Sequence, residues 1–580
     1  MTTGTTTRLK RSEVPTEQTW DLTDLFTTHK NWETELDAVQ QDVTNVTAYK
    51  GKLGENAATL LSCLETLEAY QQRVIRVATY ASLRASADGS DPDNQRDAAK
   101  VSAAMASIGT KLSFIQSELL TLSDETITQF LQDEPALKTY KKMLQDTLEK
   151  KPYTLAPEIE ETLAALSEVH DAPYMIYGRT KSSDMQFDSI TDKDGKEQPM
   201  SAALYEDRYE LSADTETRRA AYKSFTNTLN QYKNTFAATY ATEVTKQVTM
   251  SKLRSYDSVT GMLLQSQQVT KEMYHNQLDV IQNELAPHMQ RYAKLMKDKL
   301  GLEELQYCDL KAPLDPEYTE IMKKGIHDRW VDLADNVGKA TGAFCSSPYG
   351  VHPYILVTWT DTMRGAFVLA HELGHAGHFY LAGKNQSLLN TRPSTYFVEA
   401  PSTINELLLA NHLMNKTDDK RMKRWVITQL LGTYYHNFVT HLLEGEFQRR
   451  VYDLAEEGTP LTANVLTEQK RETLEKFWGD TVTFDEGAGL TWMRQPHYYM
   501  GLYPYTYSAG LTVSTAMAEK IQTEGQPAVD KWLDVLRAGG TLKPLDLIKQ
   551  AGVDMSKPDA IKKAVAFVGS LVDQLEESYK

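Results

Sequence analysis

The sequence predicts a mainly α-helical fold with more than one lobe. Apolar residues recur three and four positions apart over long stretches, as on the buried face of a helix, and the first set is Leu36, Val39, Val43 and Val46. Residues 354–360 instead combine β-branched and aromatic side chains, which is the composition of a strand. A chain of 580 residues is longer than one hydrophobic core usually supports. We therefore expect separate helical lobes and a small sheet.

Composition and charge are those of a soluble globular protein. Hydrophobic residues make up 41% of the chain and charged residues 24%, and no apolar run is long enough to cross a bilayer. The formal net charge of −17 disfavours nucleic acids and anionic membranes as partners. The N-terminus lacks the apolar core of a signal peptide, and the three cysteines are widely separated. We expect a cytoplasmic protein without a cysteine metal site.

The chain is predicted to have three parts. Residues 1–182 form an N-terminal helical lobe that contains no candidate catalytic group. An Asp-Gly pair within residues 183–201 predicts a short hairpin that connects the lobes. Residues 202–580 form the third part, in which helices resume and include one at about 317–338. The strand at 354–360 follows and leads into the next helix, which Asp361 or Thr362 is suited to cap.

That next helix contains a His-Glu-x-x-His motif, His371-Glu372-Leu-Gly-His375. Residues four apart share a helix face, so His371 and His375 can direct two imidazoles at one metal ion. Glu372 lies about 100° around the helix, where it could reach a water held by the metal. Two neutral imidazoles suit Zn²⁺, and a displaced carboxylate suits a general base. In the alternative, the motif is accidental and its polar side chains are buried at a cost of a few kcal/mol.

A third candidate ligand, Glu399, follows on a predicted return helix. A carboxylate in this place would complete a set of two histidines and one glutamate, and would leave a fourth coordination position for water. Glu406 lies two turns further along the same face. It either orients a ligand histidine or is an ordinary solvated or salt-bridged glutamate.

Residues 497–510 contain His497 and five tyrosines. Such a cluster is usually core packing. Beside a metal, however, tyrosine hydroxyls and a neutral histidine are the hydrogen-bond donors that a tetrahedral oxyanion needs. Likewise, the strand at 354–360 is either a core strand or a strand that binds an extended peptide by main-chain hydrogen bonds, and we favour peptide binding.

These residues resemble the thimet oligopeptidase and oligoendopeptidase F family of zinc peptidases, and the oligoendopeptidase F branch most closely. The resemblance spans nearly the whole chain. It is carried by His-Glu-Leu-Gly-His-x-x-His at 371–378, Phe-Val-Glu-Ala-Pro-Ser at 397–402, Pro-Tyr-Ile-Leu at 353–356 and the tyrosines after His497. It implies a helical ellipsoid of two lobes around a deep channel, with a small sheet beside the motif helix.

The resemblance also implies the roles of the site residues. One zinc ion per chain would be held by His371, His375 and Glu399, with Glu372 as the general base. His497 and a tyrosine would stabilise the transition state, and we rank Tyr505 first. Further candidates for catalysis, for orienting the ligands or for contacting substrate are Tyr507, Tyr503, Tyr498, Tyr354, His378 and Glu406.

The predicted function is that of a zinc-dependent endopeptidase acting on short unstructured peptides of up to about two dozen residues. The alternatives are a zinc carboxypeptidase of similar fold and a non-catalytic peptide-binding module, although a purely structural zinc would not need Glu372. Glycines at 487, 489, 501 and 510 could let nearby loops adapt to varied substrates, although glycines also serve simple turns. The sequence leaves the physiological peptide, the cleavage preference and the oligomeric state open.

Overall fold

Helices make up most of the computed structural model, which describes residues 9–312, 329–340, 342–359 and 363–580. Two small sheets complete the described part, so the predicted mainly α-helical class is confirmed. The chain divides into two compact units. Unit 1 comprises Met1–Pro157, Tyr318–Pro393 and Val529–Lys543, and unit 2 comprises Glu158–Glu317, Ser394–Ala528 and Pro544–Lys580. The units alternate along the sequence, whereas the predicted domains are each one continuous stretch.

Unit 1 begins with helices whose core is built from the periodic apolar residues. These α-helices are His29–Thr47, Ala57–Ala87, Pro92–Leu112, Phe114–Thr121, Asp124–Asp133 and Lys141–Lys150. Thr28 caps the first of them, because its hydroxyl accepts a hydrogen bond from the Asn31 amide. The first predicted apolar set, from Leu36 to Val46, is buried on that helix. The periodicity thus identified both the helix and its inner face.

A three-stranded sheet in unit 1 lies beside the motif helix. Its strands are Val331–Asp332, Phe344–Ser346 and Tyr354–Leu356. Tyr354–Leu356 is the central strand, parallel to Val331–Asp332 and antiparallel to Phe344–Ser346. The motif helix, Met363–Asn385, packs against Phe344–Ser346 and Tyr354–Leu356. The predicted sheet beside this helix is confirmed.

Two predictions about this region need correction. The predicted helix at 317–338 is wrong where it can be compared, because Val331 and Asp332 pair with Ile355 and Leu356 in the sheet; residues 317–328 lie outside the described residues. The predicted strand is three residues long, and its neighbours occupy both of its edges. It therefore cannot bind a peptide strand itself. Thr360 and the two proposed caps, Asp361 and Thr362, also lie outside the described residues.

Unit 2 contains the predicted hairpin and most of the later helices. The hairpin strands, Ile190–Thr191 and Glu197–Gln198, pair antiparallel, as the Asp-Gly turn predicted. The α-helices from residue 157 onward, apart from the motif helix, are Pro157–Ala165, Ser167–Arg179, Ala202–Leu204, Thr215–Leu253, Val259–Gln267, Lys271–Val280, Ala286–Leu300, Thr395–Val398, Ala400–Lys416, Lys420–Tyr434, His441–Glu456, Ala463–Trp478, Glu486–Gly489, Pro504–Glu524, Gln526–Ala538, Pro544–Gln550 and Asp559–Ser578. Among the described helices, none combines the length and apolarity that a membrane span requires.

Candidate metal centre and active site

The motif helix presents two histidines on one face. The ring centroids of His371 and His375 are 5.0 Å apart, as the spacing of four residues predicted. Glu372 is buried on the same helix. His378 is fully buried and stacks on Phe379, with ring centroids 5.2 Å apart. Burial, followed by the nearby His375 and Arg392, lowers the pKa of His378 to about 3, so its imidazole is neutral at physiological pH.

Glu399 is buried in unit 2, between the short helix Thr395–Val398 and the longer helix Ala400–Lys416. The Ser402 hydroxyl donates a hydrogen bond to its Oε2 at 3.1 Å, and the Tyr503 hydroxyl donates to its Oε1 at 3.4 Å. Gly510 packs against it so closely that an added Cβ would lie 2.7 Å from the Glu399 Cβ. The side chain of Glu399 is therefore held in one position, and only glycine at position 510 leaves room for it.

Glu406 lies further along the helix Ala400–Lys416, where the sequence predicted it. Its side chain is buried, and Oε2 accepts a hydrogen bond from the Thr433 hydroxyl at 2.7 Å. Thr433 belongs to the neighbouring helix, Lys420–Tyr434. The role of Glu406 in orienting a ligand histidine stays a prediction.

The predicted metal donors divide between the units, because His371 and His375 belong to unit 1 and Glu399 belongs to unit 2. Two imidazoles and one carboxylate form a donor set that suits Zn²⁺. A second set, His441, Glu444 and His497, lies within unit 2, and its donor atoms are within 4.8 Å of one another.

His497 lies in a cluster with Tyr503 and Tyr507. Its ring stacks on that of Tyr503 at 5.4 Å and lies 5.7 Å from that of Tyr507, and the two tyrosine rings are 5.3 Å apart. Burial, followed by the neighbouring His441, lowers the pKa of His497 to about 4. The imidazole is therefore neutral at physiological pH, which is the form predicted from the sequence.

Both tyrosines of this cluster keep their hydroxyl protons. Burial, followed by the charge of Glu399, raises the pKa of Tyr503 to about 12. Burial, followed by Tyr503, raises the pKa of Tyr507 above its usual value. Each hydroxyl can therefore donate a hydrogen bond at neutral pH.

Three predicted site tyrosines instead belong to the core. The Tyr505 hydroxyl donates to Gln267 Oε1 at 2.5 Å, and its ring meets Tyr274 edge-on at 4.8 Å. Tyr498 is buried against Tyr240 and Phe447, and Tyr354 is buried against Trp20. The geometry does not support ranking Tyr505 first. Tyr505 points about 200° around the helix from Tyr503. Tyr507 follows Tyr503 by one helical turn and therefore lies on the same face.

Sequence reasoning missed His441 and Glu444. Both are buried on the helix His441–Glu456, and His441 Nδ1 lies 2.7 Å from Glu444 Oε2. The His441 ring stacks on Tyr507 at 4.2 Å with an interplanar angle of 12°, and it lies 5.2 Å from the His497 ring. Burial raises the pKa of Glu444, but the charge and hydrogen bond of His441 bring it below its usual value. Their spacing of three residues on one helix face was the available signal.

Comparisons with known proteins agree with the motifs. The model of peptidase family M3 matches residues 208–317 and 311–567, and that of oligopeptidase F matches residues 118–187. The chain is 32% identical to oligopeptidase PepF of Bacillus subtilis, over 98% of this chain and 88% of that protein. It is 28% identical to group B oligopeptidase PepB of Streptococcus agalactiae, over 98% of each chain.

A solved structure shares the fold. Oligoendopeptidase-F from Enterococcus faecium matches with a TM-score of 0.76 and 24% identity, over 95% of this chain and 100% of that one. The M3 model covers more than half of the chain, and the Bacillus relative covers nearly all of it. The chain therefore belongs to peptidase family M3, a family of metallopeptidases.

Proposed function

We propose that the chain is a zinc-dependent endopeptidase that hydrolyses internal bonds of short, unstructured peptides. The observation that carries this proposal is the pair of imidazoles on one face of a His-Glu-x-x-His helix in a chain of family M3. The names of the relatives, oligopeptidase and oligoendopeptidase, support short peptides as the substrate class. One zinc ion per chain and a cytoplasmic location are parts of the same proposal.

The zinc would be held by His371, His375 and Glu399. The donor set fits the metal. The hydrogen bond from Ser402 and the close packing of Gly510 hold the Glu399 carboxylate in one orientation, as a metal ligand requires. Zinc held by two imidazoles and a carboxylate would act as a Lewis acid and would lower the pKa of a bound water towards neutrality. Every other function in the reaction falls to side chains of this chain.

Glu372 would act as the general base. It follows the first histidine directly, so it lies beside the ligand pair without sharing its direction. In this role the carboxylate takes a proton from the attacking water and passes it to the nitrogen of the leaving amine. Glu372 is buried, so its charge interacts more strongly with nearby charges than it would in water.

His497, Tyr503 and Tyr507 would stabilise the negative charge that develops on the carbonyl oxygen of the substrate. All three side chains lie in one cluster, and the pKa shifts keep the tyrosines protonated and the histidine neutral. Tyr503 also contacts Glu399, which supports its place near the ligands. These groups replace Tyr505 as the proposed donors.

A peptide would be aligned by the sheet of unit 1. The central strand is paired on both sides, so the edge strand that packs against the motif helix is Phe344–Ser346. An extended peptide can add to a sheet edge through main-chain hydrogen bonds, largely independent of its sequence. This suits an enzyme that accepts varied peptides.

The proposal is tested by zinc content together with the products of hydrolysis. Chelation should abolish cleavage of a quenched fluorogenic peptide, and added Zn²⁺ should restore it. His375→Ala should lose both zinc and activity. Retention of both by this variant would refute the ligand assignment.

Mass spectrometry of the products separates the proposal from its alternatives. An endopeptidase cuts an internal bond and releases an N-terminal and a C-terminal fragment, a carboxypeptidase removes single C-terminal residues, and a binding module leaves the peptide intact.

A further inference from the structure

The second set of possible metal donors has a different use. We propose that His441 and Glu444 form a positioning dyad that holds Tyr507 and His497 in the orientation the reaction requires. This inference rests on the proposed function, because it concerns how the proposed oxyanion donors are held. Neither residue of the dyad was predicted from the sequence as a site residue, and neither is proposed to contact substrate.

The contact between Glu444 and His441 fixes the imidazole in one orientation. Glu444 is 3% exposed and His441 is 1% exposed, so neither can exchange its partner for water. With 2.7 Å between His441 Nδ1 and Glu444 Oε2, the Nδ1–H donates to the carboxylate. The other ring nitrogen, Nε2, lies 3.1 Å from His436 Nε2, so a second hydrogen bond joins the two histidines. Both ring nitrogens are engaged, so rotation of the ring would break two hydrogen bonds.

The fixed ring is what supports Tyr507. The rings of His441 and Tyr507 are nearly parallel and 4.2 Å apart, so the position of one limits the position of the other. His497 lies on another side of the same imidazole, with ring centroids 5.2 Å apart at 65°. One buried imidazole therefore contacts two of the three proposed oxyanion donors. A displacement of His441 would move both of them.

A metal ion is a poorer explanation for this set. His441 Nδ1 and Glu444 Oε2 already satisfy each other directly. The buried side chain of Lys470 interacts electrostatically with Glu444 and supplies a positive charge without a metal. An added divalent cation would have to compete with that ammonium group.

The test separates the two features of the dyad. His441→Asn keeps a side-chain N–H near the place of Nδ1 but removes the ring that supports Tyr507. Glu444→Gln keeps the ring and the shape of the acceptor but removes its charge. Each variant should lower kcat by about 10–100-fold, by analogy with the loss of a partner that orients a metal ligand. KM and the zinc content per chain should remain at the wild-type level.

A double-mutant cycle with Tyr507→Phe tests whether the effect passes through Tyr507. His441→Asn should cause a smaller loss in the Tyr507→Phe background than in the wild type, because the part of its effect that passes through Tyr507 is already gone and only the part that passes through His497 remains. Full additivity would overturn the proposal. So would wild-type kcat in both single variants, or a loss of melting temperature while kcat per bound zinc stays unchanged. If His441→Asn fails to fold, the cycle of Glu444→Gln with Tyr507→Phe is the same test.

A control variant in unit 1 and the number of zinc ions per chain complete the test of the dyad. His29 and Asp97 form a pair of the same length, 2.7 Å, in unit 1, so His29→Gln is the matched control and should leave kcat and KM unchanged. Two zinc ions in the wild-type chain and one in His441→Asn would overturn the dyad in favour of a metal centre. If His375→Ala stays active, the proposed function fails and the dyad fails with it. If only the dyad variants behave as wild type, the dyad alone fails.

Discussion

At the scale of single residues, the tyrosines after His497 show how helix geometry decides function. The helix Pro504–Glu524 starts directly after Tyr503. Tyr503 and Tyr507 lie one turn apart beside His497, and Tyr505 points the other way to Gln267. Three chemically identical side chains within five positions thus divide between the candidate site and the core.

Removing the hydroxyls one at a time should separate these roles. Tyr503→Phe and Tyr507→Phe should each lower kcat by about 10²–10³-fold with little change in KM, because each removes a donor to the developing charge. Tyr505→Phe should keep kcat, but should lower stability by about 1–3 kcal/mol because Gln267 loses a buried partner. Steady-state kinetics per bound zinc and thermal melts provide the measurements. A loss of kcat confined to Tyr505→Phe would reverse the assignment.

Glu372 is expected to affect the rate and not the metal. Glu372→Gln preserves the shape of the side chain but removes the base, so turnover should fall by about 10²–10⁴-fold. The zinc content should stay at one per chain. Atomic absorption and single-turnover hydrolysis check the two halves of this prediction. An active variant, shown to be free of wild-type enzyme, would exclude the base role.

The sequence could identify some of these residues and not others for a physical reason. His371 and His375 share a face because of local helix geometry alone, so their spacing was sufficient. The inward face of the tyrosine helix instead depends on packing against Gln267 and Tyr274, which are remote in sequence. For His441 and Glu444 the spacing was visible, but a histidine and a glutamate at that spacing also occur on solvated helices.

At the scale of elements, a glycine controls how two helices approach each other. An added Cβ at Gly510 would lie 2.7 Å from the Glu399 Cβ and 3.0 Å from its carbonyl carbon. Neither of these atoms is the flexible end of a side chain. From its sequence context this glycine was expected to let a nearby loop adapt, but it lies inside the helix Pro504–Glu524. Its small size, not its flexibility, is what the structure uses.

Gly510→Ala should therefore displace Glu399 and weaken zinc binding. We expect a lower zinc affinity and a lower melting temperature together, measured by metal titration and thermal melts. The matched control is Gly109→Ala in the helix Pro92–Leu112, where the added Cβ meets nothing within 4 Å beyond the adjacent residues and backbone of its own helix. That change should stabilise the protein by about 0.5–1 kcal/mol. Wild-type zinc affinity in Gly510→Ala would show that the two helices can separate without cost.

Helices and sheet differed in how far the sequence determined them. The long helices were predicted because each carries its own periodic apolar face. The strand Tyr354–Leu356 was also predicted, but its central place in the sheet depends on two short strands that lack a pattern of their own. For the same reason, Val331 and Asp332 were assigned to a helix although they pair in the sheet.

At the scale of the whole molecule, the proposed function predicts a limit on substrate size. The family resemblance implies a deep channel, which an extended peptide can enter and a folded domain cannot. Peptides of up to about two dozen residues should be cleaved at internal bonds. An extended chain spans about 3.3 Å per residue, and this length sets how many residues fit inside a protein of this size. A length series ending in a stable folded protein, with chelator as control, measures this limit. Rapid digestion of the folded protein would contradict the channel and leave the zinc chemistry standing.

The alternation of the two units along the chain also affects synthesis on the ribosome. Unit 1 needs Val529–Lys543 in addition to its N-terminal and middle segments, and unit 2 ends only at Lys580. Nearly the whole polypeptide must therefore emerge before either unit has all of its parts. Domains that are continuous in sequence can fold one after another during translation, but this chain has no such order available for completing its units. Each unit therefore lacks part of its structure until late in synthesis, although the N-terminal helices can bury most of their own core early.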